Sequence, residues 1–212
     1  MKLENLKIVF LGDSITEGAR ATRPENAYHQ RIKEYCGLAA AYNCGVSGTR
    51  IARQTVPSYN AHKQDLNFAL RAKVMPKDAD MIIIFGGTND FGHGDAYFGT
   101  IDSEDEYTYL GALNCLVQQL QNDFPKARLV FMTPIRRVSE DEPSMPDGKI
   151  LADYVDGMIE IAKKYKLSVI DLFRSGVIED PADKSILADG LHPTDLGHDL
   201  MARYISEALK KL

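Results

Sequence analysis

Short apolar runs alternate with helical patterns along this 212-residue chain, and that alternation restricts its fold more than any other feature. The runs are rich in Val, Ile and Phe, show little polar alternation, and cover residues 6–12, 38–45, 80–87, 127–134 and 167–173. Strands with such uninterrupted apolar sequences are buried on both faces, as in a parallel sheet that helices cover. The pattern therefore predicts a doubly wound α/β domain with a five-stranded parallel sheet.

The segments between these runs carry helical periodicity. Within 107–120 and 151–165, apolar residues recur every three or four positions, which places them on one face of a helix. A last helix begins after the sequence HPTDLG, where Thr194 is suited to cap its N-terminus. Neither a linker nor an internal repeat interrupts the pattern, so we expect a single domain over residues 1–212.

Composition and charge argue against several classes of function. Apolar residues make up 44% of the chain and charged residues 26%, as in ordinary globular proteins. The net charge of -5 argues against a nucleic-acid partner, whose binding surface would be basic. No apolar run approaches the ~20 residues of a membrane span, and the N-terminal run is too short for a signal peptide. The three cysteines lack metal-ligand spacing and are expected to be reduced, which favours a cytoplasmic location.

Residues suited to chemistry follow the predicted strands at one end of the sheet. They are Ser14 in GDSIT, Gly48 in GVSG, Asn89 in GGTND, and Asp189 with His192 in DGLHP. In open parallel sheets, sites form at the carboxyl ends of the strands. With a strand order of 2-1-3-4-5, the first three residues are neighbours, and the segment after the fifth run is long enough to bring His192 to them.

These residue types meet the requirements of ester hydrolysis through an acyl-enzyme. A serine becomes a nucleophile when an adjacent base, usually His, removes its proton, and an Asp or Glu orients that His. The oxyanion that forms needs backbone N–H groups or an Asn side chain as donors. Ser14 and His192 are candidates for the first task, and Gly48 and Asn89 are candidates for the second.

The four motifs, in this order over residues 12–193, resemble the sequence blocks of the SGNH hydrolases, also called the GDSL esterase/lipase family. The resemblance implies a flavodoxin-like three-layer α/β/α fold and ester hydrolysis without a metal or cofactor. It makes Ser14 the nucleophile, His192 the base and Asp189 the acid that orients the base. It assigns the oxyanion hole to the N–H groups of Ser14 and Gly48 and the side chain of Asn89.

The loops around this site favour a small and polar ester as substrate. The segments 93–106 and 139–148 are charged, whereas a site for a long acyl chain usually has a largely apolar wall. The candidates for substrate contact are Ile15, Phe91, His93, Ile135 and Leu191. We therefore expect short acyl groups, acetyl above all, on a sugar or another polar alcohol.

Other interpretations stay open at this point. Ser47 is a rival nucleophile, because GVSGT nearly matches the motif G-x-S-x-G. A lysophospholipase or a thioesterase would use the same groups on a different ester. Two further classes are a non-catalytic flavodoxin-like module that binds an anion at a helix N-terminus, and a metal-dependent phosphoesterase.

Overall fold

The computed structural model describes residues 2–54, 66–93 and 95–212, and its centre is one parallel sheet. The strands are β1 (Lys7–Gly12), β2 (Ala40–Gly45), β3 (Met81–Phe85), β4 (Arg128–Met132) and β5 (Ser168–Ile170). They pair in the order β2-β1-β3-β4-β5, and every pair is parallel. The predicted five-stranded parallel sheet and its strand order are confirmed.

Helices connect these strands. They are α1 (Ser14–Glu17), α2 (Tyr28–Cys36), α3 (Phe68–Ala72), α4 (Thr88–His93), α5 (Tyr109–Asp123), α6 (Leu151–Tyr165) and α7 (Asp195–Lys211). The helix predicted over 107–120 begins at Tyr109, because the side chain of Thr108 caps it by accepting the N–H of Gly111. Thr194 caps α7 as predicted, and its hydroxyl accepts the N–H of Gly197 at 3.3 Å.

Two apolar clusters cover the two faces of the sheet. One cluster packs α3, α5 and α6 against alternate strand residues that include Val9 and Ile82. The other packs α2 and α7 against the intervening residues, such as Ile8 and Ile83. Because consecutive residues of a strand point to opposite faces, burial of both faces explains the uninterrupted apolar runs. The architecture is the three-layer α/β/α fold that the sequence resemblance implies.

The parallel sheet brings the loops that follow β1, β2 and β3 to one edge. Gly12, at the end of β1, pairs with Gly45 of β2 on one side and with Phe85 of β3 on the other. The close approach of α1 requires glycine at position 45, since a Cβ there would overlap the backbone of Glu17. Within the described ranges, no helix has the length and apolar character that crossing a membrane requires.

Candidate functional site

Ser14, His192 and Asp189 form a continuous chain of hydrogen bonds at the carboxyl edge of the sheet. The Oγ atom of Ser14 lies 2.9 Å from Nε2 of His192. The other ring nitrogen, Nδ1, lies 2.9 Å and 3.1 Å from the two carboxylate oxygens of Asp189. An ionised carboxylate only accepts hydrogen bonds, so Nδ1 carries the proton and Nε2 of a neutral ring is an acceptor. This tautomer allows His192 to take the proton of Ser14.

Ser14 is the first residue of α1 and follows β1 after a single intervening residue. That residue, Asp13, caps the helix, and its carboxyl group accepts the N–H of Ile15 at 3.0 Å. The helix lasts only four residues and ends at Gly18, which has a φ of 101° that suits glycine. The chain thus turns sharply from strand to helix at Ser14. This turn places the hydroxyl of Ser14 within hydrogen-bonding distance of His192.

A single carboxylate organises the loop that carries His192. Oδ1 of Asp189 accepts the N–H of Leu191 at 3.2 Å and that of His192 at 2.8 Å, and the N–H of Ala188 donates to the carbonyl of His192 at 2.9 Å. Arg20 lies 3.3 Å from the same carboxylate. Burial raises the pKa of Asp189, but the hydrogen bonds from His192 and Leu191 outweigh it and lower the pKa to about 2. Asp189 is therefore ionised at neutral pH.

One open cavity of about 500 Å³, hereafter the site cavity, is lined by Ser14, Gly48, Asn89 and His192. Among the described residues, the backbone N–H groups of Ser14 and Gly48 have no hydrogen-bond acceptor. The Asn89 amide donates one hydrogen to the carbonyl of Thr49 at 2.9 Å and keeps the other. Gly48 has a φ of 74°, a backbone conformation that glycine adopts more readily than residues with a Cβ, which explains why glycine stands at this position. These donors are available to an oxyanion.

Two buried carboxyl groups hold the loops that carry these donors. Asp90 is fully buried and accepts the N–H groups of Ile51 at 3.1 Å and Ala52 at 2.8 Å. Burial raises the pKa of Asp90 to about 6 despite those two hydrogen bonds. Burial also raises the pKa of Asp13 to about 7, against the effects of its capping hydrogen bond and of the charge on Arg71.

Arg71 of α3 connects the ends of the first two strands, and no sequence motif singled it out. Its guanidinium donates to the carbonyl of Gly12 at 3.0 Å, to Oγ1 of Thr49 at 2.9 Å and to the carbonyl of Cys44. Burial lowers its pKa to about 10, which leaves it a cation at neutral pH. The one available signal was an arginine within the short apolar sequence FALRA, which suggests a buried cation.

The structure separates the predicted substrate contacts into two groups. Leu191 lines the site cavity, and Phe91 and His93 line a neighbouring cavity. Ile15 and Ile135 are each 1% exposed and belong to the apolar cluster that packs against α2 and α7. The side chains of these two residues point into the core and line neither cavity, so their placement gives no support to a role in substrate contact.

The rival candidates have different surroundings. Ser47 also lines the site cavity, and both its hydroxyl and its N–H donate to the carboxylate of Glu17. His29 and His198 are buried, and burial lowers the pKa of each to about 4, so both are neutral near pH 7. His93 lines the neighbouring cavity. In the part of the chain that the structure describes, no group of three His, Cys, Asp or Glu side chains is placed to hold a metal ion.

Comparisons with known proteins identify the family of the chain. The model of the GDSL-like lipase/acylhydrolase family matches residues 10–200. An acetylxylan esterase from Xylanibacter ruminicola is 27% identical over 226 residues, which cover 99% of this chain and 44% of that protein. This chain thus spans slightly less than half the length of that relative.

Solved structures share the fold along almost the whole chain. A protein from Lactobacillus plantarum is 28% identical, with a TM-score of 0.82 and 98% of each chain covered. The acetyl xylan esterase AlAXEase is 20% identical, with a TM-score of 0.66 over 96% of this chain and 100% of that chain. The second likeness concerns the fold alone.

Proposed function

Because this chain belongs to the GDSL-like lipase/acylhydrolase family, we propose that it is a serine esterase that removes short acyl groups from a sugar or another small polar alcohol. The observation that carries the proposal is the unbroken hydrogen-bonded chain from Ser14 through His192 to Asp189, at a cavity that Gly48 and Asn89 also line. The similarity to an acetylxylan esterase supports acetyl as the acyl group. The motifs span residues 12–193, which supports a single hydrolase domain over residues 1–212.

In the proposed reaction, Nε2 of His192 takes the proton of Ser14 while Oγ forms a bond to the ester carbonyl carbon. Asp189 stabilises the imidazolium and remains ionised. The N–H groups of Ser14 and Gly48 and the amide of Asn89 donate to the carbonyl oxygen as it becomes negative. The bond to the alcohol then breaks, the alcohol takes the proton from His192, and an acyl-serine remains. Water attacks this acyl-enzyme by the same route, which releases the acid and restores the serine.

The lining of the site cavity supports a short acyl group. Besides the residues named in the reaction, the cavity is lined by Ala19, Arg20, Ser47 and Leu191. Only two of these are aliphatic, so a long chain would bury few of its methylenes, each of which is worth about 0.8 kcal/mol. We expect kcat/KM to be highest between C2 and C4 in a series of p-nitrophenyl esters from C2 to C12. A maximum at C8 or longer would instead identify a lysophospholipase or a long-chain thioesterase.

Replacement of the nucleophile tests the reaction itself. We expect Ser14→Ala to lower p-nitrophenyl acetate hydrolysis by roughly 10⁴-fold or more and to abolish labelling by a fluorophosphonate probe. Ser47→Ala is the matched control and should still be labelled. A folded Ser14→Ala protein with wild-type turnover would reject the proposal, as would a wild-type protein that the probe does not label. EDTA should leave the activity unchanged, whereas it would inhibit a metal-dependent phosphoesterase.

We also propose a cytoplasmic location for the protein. The support comes from its cysteines, because Cys36, Cys44 and Cys115 are all unpaired thiols. Unpaired, partly or fully buried cysteines are typical of reducing compartments. Cell fractionation of the native producer should place the protein with the cytoplasmic fraction.

A further inference from the structure

A second cavity adjoins the candidate site, and the proposed reaction does not use it. This flanking cavity has a volume of about 370 Å³ and lies between α4 and the segment 137–145. Its lining includes Phe91, His93, Arg137, Glu142 and Met145. Asn89, which lines the site cavity, is only two residues before Phe91 on the same six-residue helix. Asn89 and Phe91 lie ~3 Å apart along the axis of α4, so each cavity takes part of its wall from this short helix.

Arg137 brings unused hydrogen-bond donors to the flanking cavity. Its Nη1 makes long contacts, at 3.4 and 3.3 Å, with the carbonyl and the hydroxyl of Thr88. Within the described residues no carboxylate pairs with this guanidinium, and its Nε is buried without an acceptor. Burial lowers the pKa of Arg137 and the carboxylates of Asp13 and Asp189 raise it, so it stays a cation. A partly buried cation with unsatisfied donors favours a ligand that supplies acceptors.

The other side of the flanking cavity supplies an acceptor and an apolar surface. Glu142 contributes a carboxylate, one oxygen of which accepts the hydroxyl of Ser139 at 2.9 Å. Met145 is 66% exposed and presents its thioether side chain at the same cavity. A sugar ring carries hydroxyl groups that both donate and accept, together with apolar C–H faces. Arginine donors, a carboxylate acceptor and an apolar side chain match those groups, whereas an acyl chain would leave the two charged groups unpaired.

Contacts on both sides hold the walls of the flanking cavity in place. The hydroxyl of Ser144 donates to the carbonyl of Phe91 and joins the segment to α4. The N–H of Val138 donates to the carbonyl of Gly190 at 2.9 Å and joins the segment to the loop that carries the base. The plane of Arg137 lies against Phe91, with 5.5 Å between the guanidinium carbon and the ring centroid. A preformed cavity of this kind loses little conformational entropy when a ligand binds.

We propose that the flanking cavity binds the sugar ring that carries the ester, with Arg137 donating to its hydroxyl groups and Glu142 accepting from them. This inference rests on the proposed esterase function and specifies the alcohol part of the substrate. That part is a pyranose unit of an acetylated oligosaccharide, and it contacts residues that a simple aryl ester does not reach.

The test compares two substrates that share the acetyl group. Acetylated xylobiose carries the sugar hydroxyls, and p-nitrophenyl acetate does not. Arg137→Met removes the donors and keeps an unbranched side chain to pack on Phe91. We expect its kcat/KM for acetylated xylobiose to fall roughly 10- to 100-fold more than its kcat/KM for p-nitrophenyl acetate, mainly through KM. Glu142→Gln preserves the shape of the side chain and should change the same ratio in the same direction.

Arg203→Met is the matched control, because Arg203 also lies over an aromatic ring, with 5.4 Å to the centroid of Tyr35, but is remote on α7. It should change neither substrate's kcat/KM. Equal losses on both substrates in Arg137→Met would overturn the inference and assign Arg137 to support of α4, and an unchanged ratio would also overturn it. A wild-type protein that hydrolyses p-nitrophenyl acetate through Ser14 but accepts no acetylated sugar would reject this inference alone. Absence of hydrolysis dependent on Ser14 would reject the esterase function itself.

Discussion

The two halves of the candidate site are held in place in opposite ways. The half that carries the N–H donors is held by Arg71 and Asp90. These two buried side chains make hydrogen bonds to backbone and hydroxyl groups of neighbouring loops. The half that carries the base is a loop near solvent, and the side chains of His192 and Asp189 are 21% and 34% exposed. Most contacts of that loop are made within five residues of sequence.

This difference indicates how stability and activity should respond to substitution. The donor half is part of the folded core, so changes there should lower both the free energy of unfolding and the rate. The base half is a local structure, so loss of the base itself should lower the rate with little change in the free energy of unfolding. Four predictions test that contrast, beginning with the largest effect.

His192→Ala should give the largest loss of rate with the least loss of stability. Loss of the base should lower kcat/KM for p-nitrophenyl acetate by about 10⁴-fold or more, since only the oxyanion donors and substrate binding remain. The free energy of unfolding, measured by urea denaturation, should change by no more than about 1 kcal/mol, because the loop is only lightly packed. A much larger loss of stability would show that the base loop belongs to the folded core.

Asn89→Ala should affect rate and stability together. A donor directed at the oxyanion acts in the transition state, so we expect kcat to fall by about 10²–10³-fold with little change in KM. The carbonyl of Thr49 also loses its donor, which should cost about 1–3 kcal/mol in the free energy of unfolding. Steady-state kinetics and urea denaturation of the same preparation measure both effects. A change confined to KM would mean that Asn89 binds substrate in its ground state instead.

Arg71→Met should destabilise the protein and also lower kcat, although Arg71 contacts no substrate in the proposal. The variant removes one donor each from the carbonyl groups of Gly12 and Cys44 and from the hydroxyl of Thr49, which we expect to cost roughly 2–4 kcal/mol. Displacement of these groups should move the donor loops and reduce kcat more than it raises KM. Kinetics at a temperature well below the unfolding transition separate that effect from loss of folded protein.

Arg31→Met is the control for Arg71→Met. Arg31 donates to Asn26 at 3.0 and 3.1 Å and pairs with Asp199 at 3.2 Å, away from the strand ends. Its loss should lower stability and leave kcat unchanged. If Arg71→Met lost as much stability as Arg31→Met and kept the wild-type kcat, Arg71 would have a structural role only.

The pH dependence of stability should have opposite signs in the two halves. The pKa of Asp13 is raised from 3.8 to about 7, so its contribution to stability is present below pH 3.8 and is lost as the pH rises through about 7. The pKa of Asp189 is lowered from 3.8 to about 2, so its contribution is present above pH 3.8 and is lost as the pH falls toward about 2. As the pH rises from 4 to 8, Asp13→Asn should therefore become more stable relative to wild type. As the pH falls from 5 to 3, Asp189→Asn should become more stable relative to wild type. Urea denaturation at each pH measures the free energy of unfolding of wild type and of both variants. If the difference between variant and wild type changed with pH in the same direction for both variants, the contrast between the two halves would be wrong.

The features that could be predicted from the sequence are those that local patterns and motifs determine. Apolar runs and helical periodicity were sufficient for the parallel sheet, and Thr194 marked the start of α7. Motif positions at strand ends predicted that Ser14 and His192 would lie close together, and they are in contact. The role of that contact in catalysis stays a prediction.

Other features depend on contacts between distant segments that no local pattern encodes. Arg71 and Arg137 lie outside the four motifs, and the partners that join them to the loops of the site, Thr49 and Thr88, are 22 and 49 residues away in the chain. Ile15 and Ile135 were expected at the site because they are close in sequence to strand ends. Successive residues of an extended segment or a helical turn point in different directions, however, and both side chains enter the core.

The loop that carries the base is closed on itself by the hydrogen bond from the N–H of Ala188 to the carbonyl of His192. The hydrogen bonds that join acid and base are therefore made within five consecutive residues, and the part of the long connection from β5 that precedes Ser185 makes none of them. In evolutionary terms, that connection can gain, lose or exchange residues while the proton-transfer loop is inherited intact. A single scaffold can thereby diversify the surroundings of its site without rebuilding its acid–base pair.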